Sequence, residues 1–373
     1  MVSYRPDKIY VERCVADSWV TRNVLRRLAD TPVEWLEDSR ALLSESRRLS
    51  PSLAAAKRSL VLARHKGRFF KDCPASRSRG ERNVCCNYFV VNYASNCHME
   101  CSYCYLQTHL NFPHLVVYAN YRDLLQELET RFRSHPKTPF RVGTGELADS
   151  LALDPLTRYS VPLVEFFSRF DNAILEFKTK SDCVDNLMGL EHGGRTVVSW
   201  SINPRPVQES EEHRTASIER RLRAAERCVA GGYRVGFHLD PMIHYPGWER
   251  DYEDLVDEIF RRFPPRSVAW ISLGSLRLSA GLKSFMRSRF PRSGLPLGEL
   301  VPVPDGKLRY FWPIRVQMYR STVEWVRGRS PGTPVYLCME RPGVWSKVFA
   351  QAPPDEKRLG RRLAGSLPLT AAR

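Results

Sequence analysis

A chain of 373 residues is long enough for two average domains, or for one α/β barrel with appendages. Its 43% hydrophobic content suffices for a core. No apolar run reaches the roughly eighteen residues of a membrane span, and the N-terminus MVSYRPDKIYVERC has no apolar signal stretch, so the expected location is the cytoplasm.

The net charge of +16 leaves two readings open: a basic solvated surface, or a polyanionic partner such as nucleic acid. Ten cysteines without a visible signal point to metal or redox use rather than a disulfide framework.

Residues 1–82 read as a small α/β lead-in. Lys8–Glu12 and Pro32–Glu37 are strand-like. Thr21–Leu28 and Ser50–Arg64 are helix-like, the second opening on Ser50 as N-cap with Pro51 at the first helical position. Cys73, Cys85 and Cys86 are buried small hydrophobes, ligands of a second metal, or hydrogen donors. Phe89–Tyr93 is an apolar strand that delivers the chain to Ser95-Asn-Cys-His-Met-Glu-Cys-Ser-Tyr-Cys-Tyr-Leu-Gln107.

That run spaces Cys97, Cys101 and Cys104 as C-x3-C-x2-C. Three thiolates on one loop hold three irons of a 4Fe–4S cluster and leave the fourth iron open. An open iron is what the amino and carboxylate groups of S-adenosylmethionine need. The competing reading is zinc, but a structural zinc site wants four protein ligands, and no second knuckle follows here. His98 and His109 are read as loop residues, because a fourth protein ligand would block the open iron.

From residue 83 to residue 278, strand-like and helix-like segments alternate. Strands are expected at Phe140–Glu146, Ala173–Lys180, Arg195–Asn203, Tyr233–Asp240 and Val268–Leu273. Helices are expected at Tyr121–Ser134, Val161–Phe170, Cys183–Leu190, Ser217–Ala230 and Tyr252–Phe263. Repeated βα units imply right-handed crossovers and a parallel sheet. With the strand before the cysteines there are six, which fits an open partial (β/α)6 TIM-like barrel with its chemistry at the C-terminal strand ends. Glu146, Lys180, Ser201 and Asn203 stand at such ends and form a candidate cofactor ring. His238 and Asp240, at the fifth strand end, are as readily structural as ligating.

Residues 279–350 form a basic C-terminal extension with helices at Leu282–Phe290 and Pro313–Gly328 and a last strand at Val335–Glu340. Lys307, Arg309, Tyr310 and Arg315 interleave charge with aromatics. They hold a phosphate backbone, or they belong to an amphipathic strand whose aromatics pack inward. Residues 351–373, rich in proline, arginine and alanine, are expected to be a flexible tail.

Over nearly its full length the chain resembles the spore photoproduct lyase family of radical S-adenosylmethionine DNA-repair proteins. The likeness is carried by Lys8–Glu12, Val33-Glu34, Ala56-Lys57-Arg58 and the cysteine loop with Tyr105-Leu106-Gln107. It continues through Thr179-Lys180, Ser201-Ile202-Asn203, Gly231-Gly232-Tyr233, Gly236-Phe237, Pro241-Met242-Ile243 and Gly247-Trp248-Glu249-Arg250.

The resemblance implies a carbon–carbon lyase that uses the cluster and S-adenosylmethionine to make a 5′-deoxyadenosyl radical and repair a thymine-dimer-type photoproduct flipped out of DNA. It places the cluster on Cys97, Cys101 and Cys104, Tyr103 beside the adenine, and Glu146, Lys180 and Ser201 on the cofactor. Tyr105 becomes a relay residue. Damaged duplex DNA and an electron donor such as ferredoxin or flavodoxin become partners.

One departure stands out, because the family carries a hydrogen-donor cysteine where this chain has Gly143. Either another thiol, Cys338 first, or Tyr105 returns the hydrogen, or the substrate differs. The alternatives are a radical enzyme acting on RNA, protein or a small molecule, and a zinc-stabilised nucleic-acid-binding protein.

Overall fold

The computed structural model describes residues 4–42, 52–73 and 83–365. Strand β1 (Lys8–Glu12) pairs in parallel with β2 (Val33–Leu36) on one side and β3 (Ser59–Ala63) on the other. The crossover helix Trp19–Arg27 starts where the Ser18 hydroxyl accepts from the Val20 amide at 3.2 Å.

The helix expected over Ser50–Arg64 is corrected. Its start lies outside the described residues, only Leu53–Ala56 is helical, and Ser59–Ala63 is a strand. Leu60, Val61 and Leu62 are each fully buried, as the inner strand of a parallel sheet requires. That packing overrides the helix propensity of Leu and Ala.

Next, β4 (Phe70–Asp72) forms an antiparallel pair with β5 (Tyr88–Val91). The short β6 (Ala94–Ser95), β7 (Glu100–Cys101) and β8 (Leu115–Tyr118) follow. β8 and β6 add to β3, so the lead-in sheet has the order β2-β1-β3-β8-β6 and flanks the cysteine loop on both sides in sequence.

The larger sheet is the expected barrel. β5, β9 (Phe140–Gly143), β10 (Ala173–Thr179) and β11 (Thr196–Ser201) are parallel neighbours in sequence order. After the short β12 (Glu212–His213), β13 (Arg234–Met242) and β14 (Val268–Ser275) complete the six.

Helices Tyr121–Ser134, Ser160–Phe167, Ile218–Ala230 and Trp248–Arg262 each bury an apolar stripe against this sheet; Leu124, Leu128 and Phe132 form the stripe of the first. The helix expected at Cys183–Leu190 shrinks to one 3-10 turn, Asp185–Leu187.

In the C-terminal part, β15 (Arg277–Ser279), β16 (Leu300–Pro302) and β17 (Lys307–Tyr310) make a small antiparallel sheet with β17 in the middle. β18 (Val335–Leu337) lies parallel to β14, so the last strand of the C-terminal extension is a seventh parallel member of the barrel sheet.

The flexible tail is corrected over Glu356–Gly365, which is a helix. Leu359, Leu363 and Ala364 are buried, and Gly360 sits so close to Asn87 that an added Cβ would lie 2.7 Å from the Asn87 Cβ. Among the described residues no helix is long and apolar enough to cross a membrane.

Candidate active site

The cysteine loop leaves β6 through Asn96, whose left-handed backbone (φ 71°) suits asparagine. The Asn96 side chain fixes the turn: its oxygen accepts from the Cys97 amide at 2.8 Å, and its amide donates to the Pro113 carbonyl at 2.6 Å. Gln107 then draws the loop together, donating to the carbonyls of Cys101 (3.2 Å), Ser102 (2.9 Å) and Cys104 (3.2 Å). The Tyr-Leu-Gln continuation is therefore a structural clamp on the thiol loop.

The three thiols are not in disulfides, and Cys101 is buried while Cys97 and Cys104 are half-buried. Burial pushes all three pKa values up, that of Cys97 to about 12. Mutual repulsion adds to this, Cys104 acting on Cys97 and both acting on Cys101. Lys57 and Lys180 pull the other way: Lys57 on Cys97 and Cys104, Lys180 on Cys101 and Cys104.

Lys57 is only 4% exposed; it donates to the Met99 carbonyl at 2.8 Å and pairs with Glu100 at 3.3 Å. The lysine charges favour the thiolate form that a metal centre binds, against the burial that opposes it.

Among the described residues no three His, Cys, Asp or Glu side chains converge as a single metal ion requires. Three thiols on one loop match the ligand number of a four-iron cluster with one open iron, and a structural zinc site wants four. The donor set fits the cluster.

The strand ends gather around a carboxylate that sequence reasoning missed. β12 pairs antiparallel with β7, which sets Glu212 opposite Cys101. The Tyr103 phenol donates to Glu212, the Asn203 amide donates to it at 3.0 Å, and Arg221 pairs with it at 2.6 Å. Lys180 stands 3.8 Å from the same carboxylate and 5.8 Å from the centre of the Tyr103 ring. Burial would raise the Glu212 pKa, but Arg221, Lys180 and the two hydrogen bonds outweigh it and hold it at about 2.

Lys180 also donates to the Ser201 hydroxyl at 2.5 Å, and Ser201 donates to the Asp240 carbonyl at 3.1 Å. Four of the expected cofactor residues, Tyr103, Lys180, Ser201 and Asn203, thus meet in one place. The fifth, Glu146, accepts from Asn92 at 2.9 Å, and its carbonyl accepts from the Tyr105 phenol at 2.5 Å. Tyr105 is 44% exposed, with its ring 5.5 Å from that of His109.

His238 is a structural hydrogen-bonder. Burial, then Lys178, lowers its pKa to about 4, and its Nε2–H donates to Glu176 at 2.8 Å. Asp240 pairs with Arg277 at 2.6 Å. Cys338 follows β18; burial and then Asp240 raise its pKa to about 11 against the pull of Arg277 and Lys178. The space beside Gly143 is filled, since a Cβ there would lie 1.5 Å from the Tyr88 hydroxyl.

The nucleic-acid candidates are corrected. Arg309, Arg315 and Tyr310 are no more than 5% exposed. Arg309 pairs with Asp305 and donates to the Met339 carbonyl at 2.9 Å, while Arg315 pairs with Glu340 at 3.0 Å. The Tyr310 hydroxyl accepts from the His244 amide at 3.2 Å. Two guanidinium groups can be buried here because carboxylates are buried with them, and neither is free for a phosphate. Lys307 is half-buried, and the exposed aromatics are Phe311 and Trp312 beside it in sequence.

The family model for spore photoproduct lyase matches residues 4–301. The chain belongs to the spore photoproduct lyase family.

Relatives in the family include the Geobacillus sp. spore photoproduct lyase, 29% identical over 227 residues, and the Clostridium acetobutylicum enzyme, 25% identical over 299 residues. The first alignment covers 60% of this chain and 65% of the relative, so the chain spans just under two thirds of that lyase; the second covers 78% and 84%.

The fold matches a solved spore photoproduct lyase mutant with bound AdoMet and dinucleoside spore photoproduct. The TM-score is 0.78 at 23% identity, over 90% of this chain and 99% of that one. A lyase complexed with dinucleoside spore photoproduct matches at a TM-score of 0.77 and 22% identity, again over 90% and 99%. The partial barrel of the solved spore photoproduct lyases is therefore the fold of this family member.

Proposed function

We propose that this chain is a radical S-adenosylmethionine lyase that repairs a thymine-dimer-type photoproduct in DNA. The observation that carries the reading is the three-thiol loop, bearing Tyr103, set beside Lys180, Ser201 and Asn203 at adjacent strand ends, in a chain of the spore photoproduct lyase family. Bound on Cys97, Cys101 and Cys104, a reduced 4Fe–4S cluster with S-adenosylmethionine supplies a 5′-deoxyadenosyl radical.

The protein's own part is to bind, orient and shield. Lys180 and Ser201 offer a cation and a hydroxyl to the cofactor carboxylate and ribose. Glu146 takes its amino group, and Tyr103 gives the adenine a flat apolar wall. Glu212 holds Tyr103, Asn203 and Lys180 at fixed positions without facing solvent, being 1% exposed.

For the return of hydrogen, Tyr105 is supported by its exposed ring at the loop and its phenol anchored on Glu146, and Cys338 by its protonated thiol. The net charge of +16 supports a DNA partner, and an electron donor such as ferredoxin or flavodoxin completes the proposal.

A second reading keeps the radical chemistry and changes the substrate. It is favoured by Gly143, whose neighbouring space belongs to the Tyr88 hydroxyl. Product analysis separates the two. Anaerobically reconstituted protein is reduced, given S-adenosylmethionine and incubated with ultraviolet-irradiated oligonucleotide. Restored thymines support the lyase reading. Cleavage of S-adenosylmethionine with no change in the lesion supports the second, and undiminished cleavage by Cys101→Ala would sink both.

A further inference from the structure

We propose that Cys73, Cys85, Cys86 and Cys338 form a second, all-thiolate site that takes an iron–sulfur cluster. Three separate stretches of chain bring them together. The Cys73 amide, just past β4, donates to the Tyr88 carbonyl at 3.0 Å. The Val84 amide donates to the Glu340 carbonyl at 2.8 Å, which lays the segment Asn83–Asn87 along Cys338–Glu340.

Cys338 is fixed in turn, its amide donating to the Leu273 carbonyl at 2.7 Å and its carbonyl accepting from Arg277 at 3.2 Å. The Cys86 thiol feels the charge of each of the other three. None of the four is in a disulfide.

A second, independent feature asks for a ligand. Arg141 is 2% exposed, and its Nε and Nη1 have no hydrogen-bond partner. Only Nη2 is used, donating to Glu176 at 3.0 Å and the Tyr336 hydroxyl at 2.7 Å. The aromatic rings of Tyr88, Trp270 and Tyr336 lie 4.8, 4.1 and 5.1 Å from its guanidinium carbon, and Cys86 is within its field. A buried cation with two idle donors beside thiols suits a negatively charged, sulfur-rich occupant. Arg277 and Lys178 bring further positive charge to Cys338.

The ligand set excludes hard cations, since four thiolates select zinc, copper(I) or iron–sulfur centres. An iron–sulfur centre gives each thiolate its own metal, and its negative charge suits the buried Arg141 donors that have no other partner. The site does not depend on the lyase reading. It takes Cys338 as a ligand and leaves the return of hydrogen to Tyr105.

Iron counting tests it. The triple variant Cys97→Ala/Cys101→Ala/Cys104→Ala, reconstituted without oxygen using iron(II) and sulfide, should keep about half of the wild-type iron and sulfide. Adding Cys73→Ser and Cys86→Ser should remove the remainder. In the otherwise native chain, Cys73→Ser/Cys86→Ser should halve the iron, which decides the matter even if the triple variant does not fold. A triple variant that folds, by its melt, yet holds no iron or zinc alone overturns the proposal, as does full iron in the Cys73/Cys86 variant. Loss of S-adenosylmethionine cleavage in every sample would count against the lyase reading and leave the iron counts standing.

Discussion

Glu212 stands directly across a two-residue antiparallel ladder from Cys101, the middle thiol of the loop. The same carboxylate takes the Tyr103 phenol and the Asn203 amide and faces both Arg221 and Lys180. One buried acid therefore fixes the loop, two strand ends and a helix at once.

Glu212→Gln should leave Arg221 and Lys180 without their counter-charge, and breaking a buried pair costs about 3–5 kcal/mol. A thermal melt should show a drop of several degrees. The pH dependence has a definite sign. A carboxylate held at about 2 in the folded chain, against 4.5 ordinarily, stabilises the fold fully above about pH 5. That stabilisation fades as pH falls toward 2 in the wild type. In the Gln variant, melts between those limits should lack this component, and an unchanged pH profile would refute the role.

Lys180→Met removes the cation that holds the Ser201 hydroxyl. A charged hydrogen bond is worth about 1.5–3 kcal/mol, so S-adenosylmethionine should bind roughly ten- to a hundredfold more weakly to reconstituted protein in equilibrium dialysis. Ser201→Ala should weaken it less, because the lysine charge remains.

Gly143→Cys places a side chain where the Tyr88 hydroxyl and ring already are, with Cζ 2.2 Å from the new Cβ. Overpacking of this kind costs at least about 1–3 kcal/mol. Tyr88→Phe should not relieve it, because the ring carbons remain. Tyr88→Ala combined with Gly143→Cys should recover stability relative to the sum of the single changes. Additive losses in a double-mutant cycle of melts would contradict the clash.

Arg315→Ala should act on stability and not on salt dependence. It leaves Glu340 buried with its 3.0 Å partner gone, a cost of about 3–5 kcal/mol. The slope of DNA affinity against salt should stay that of the wild type wherever the variant is folded, since no phosphate contact is lost. A shallower slope at unchanged melting temperature would restore Arg315 as a DNA contact.

Tyr105→Phe keeps the ring and removes the phenol that donates to the Glu146 carbonyl. S-adenosylmethionine cleavage should persist, while the yield of repaired thymine per cofactor consumed falls at least about tenfold if the phenol returns the hydrogen. Equal yields would remove Tyr105 from that step.

What could be read from the sequence was local. The cysteine loop lies within eight residues, and the six barrel strands announce themselves because apolar runs alternate with amphipathic helices. Lys180, Ser201 and Asn203 were legible because a strand end is a position the pattern itself marks. Glu212 was not: it lies 109 residues from Tyr103 and carries no local signature beyond an acidic pair with Glu211.

Arg309 and Arg315 misled for the opposite reason. Interleaved charge and aromatics look the same whether the charges face solvent or a buried Glu340, and only the packing of β17, which carries Arg309, and of helix Trp312–Arg329, which carries Arg315, decides. The segment Ser59–Ala63 was misread because Leu and Ala suit a helix until two parallel neighbours claim them.

The seating of Gly360 against Asn87 bears on how the molecule is made. The segment bearing Cys85 and Cys86 is held from one side by the Glu340 carbonyl and from the other by a helix that ends at Gly365. During synthesis, strands β5 to β14 can emerge and pair while that segment still lacks both supports. The order of translation therefore separates the two thiol groups in time. The loop at Cys97–Cys104 has its ladder partner once residue 213 is out, whereas Cys86 is without Cys338 until residue 338 has followed.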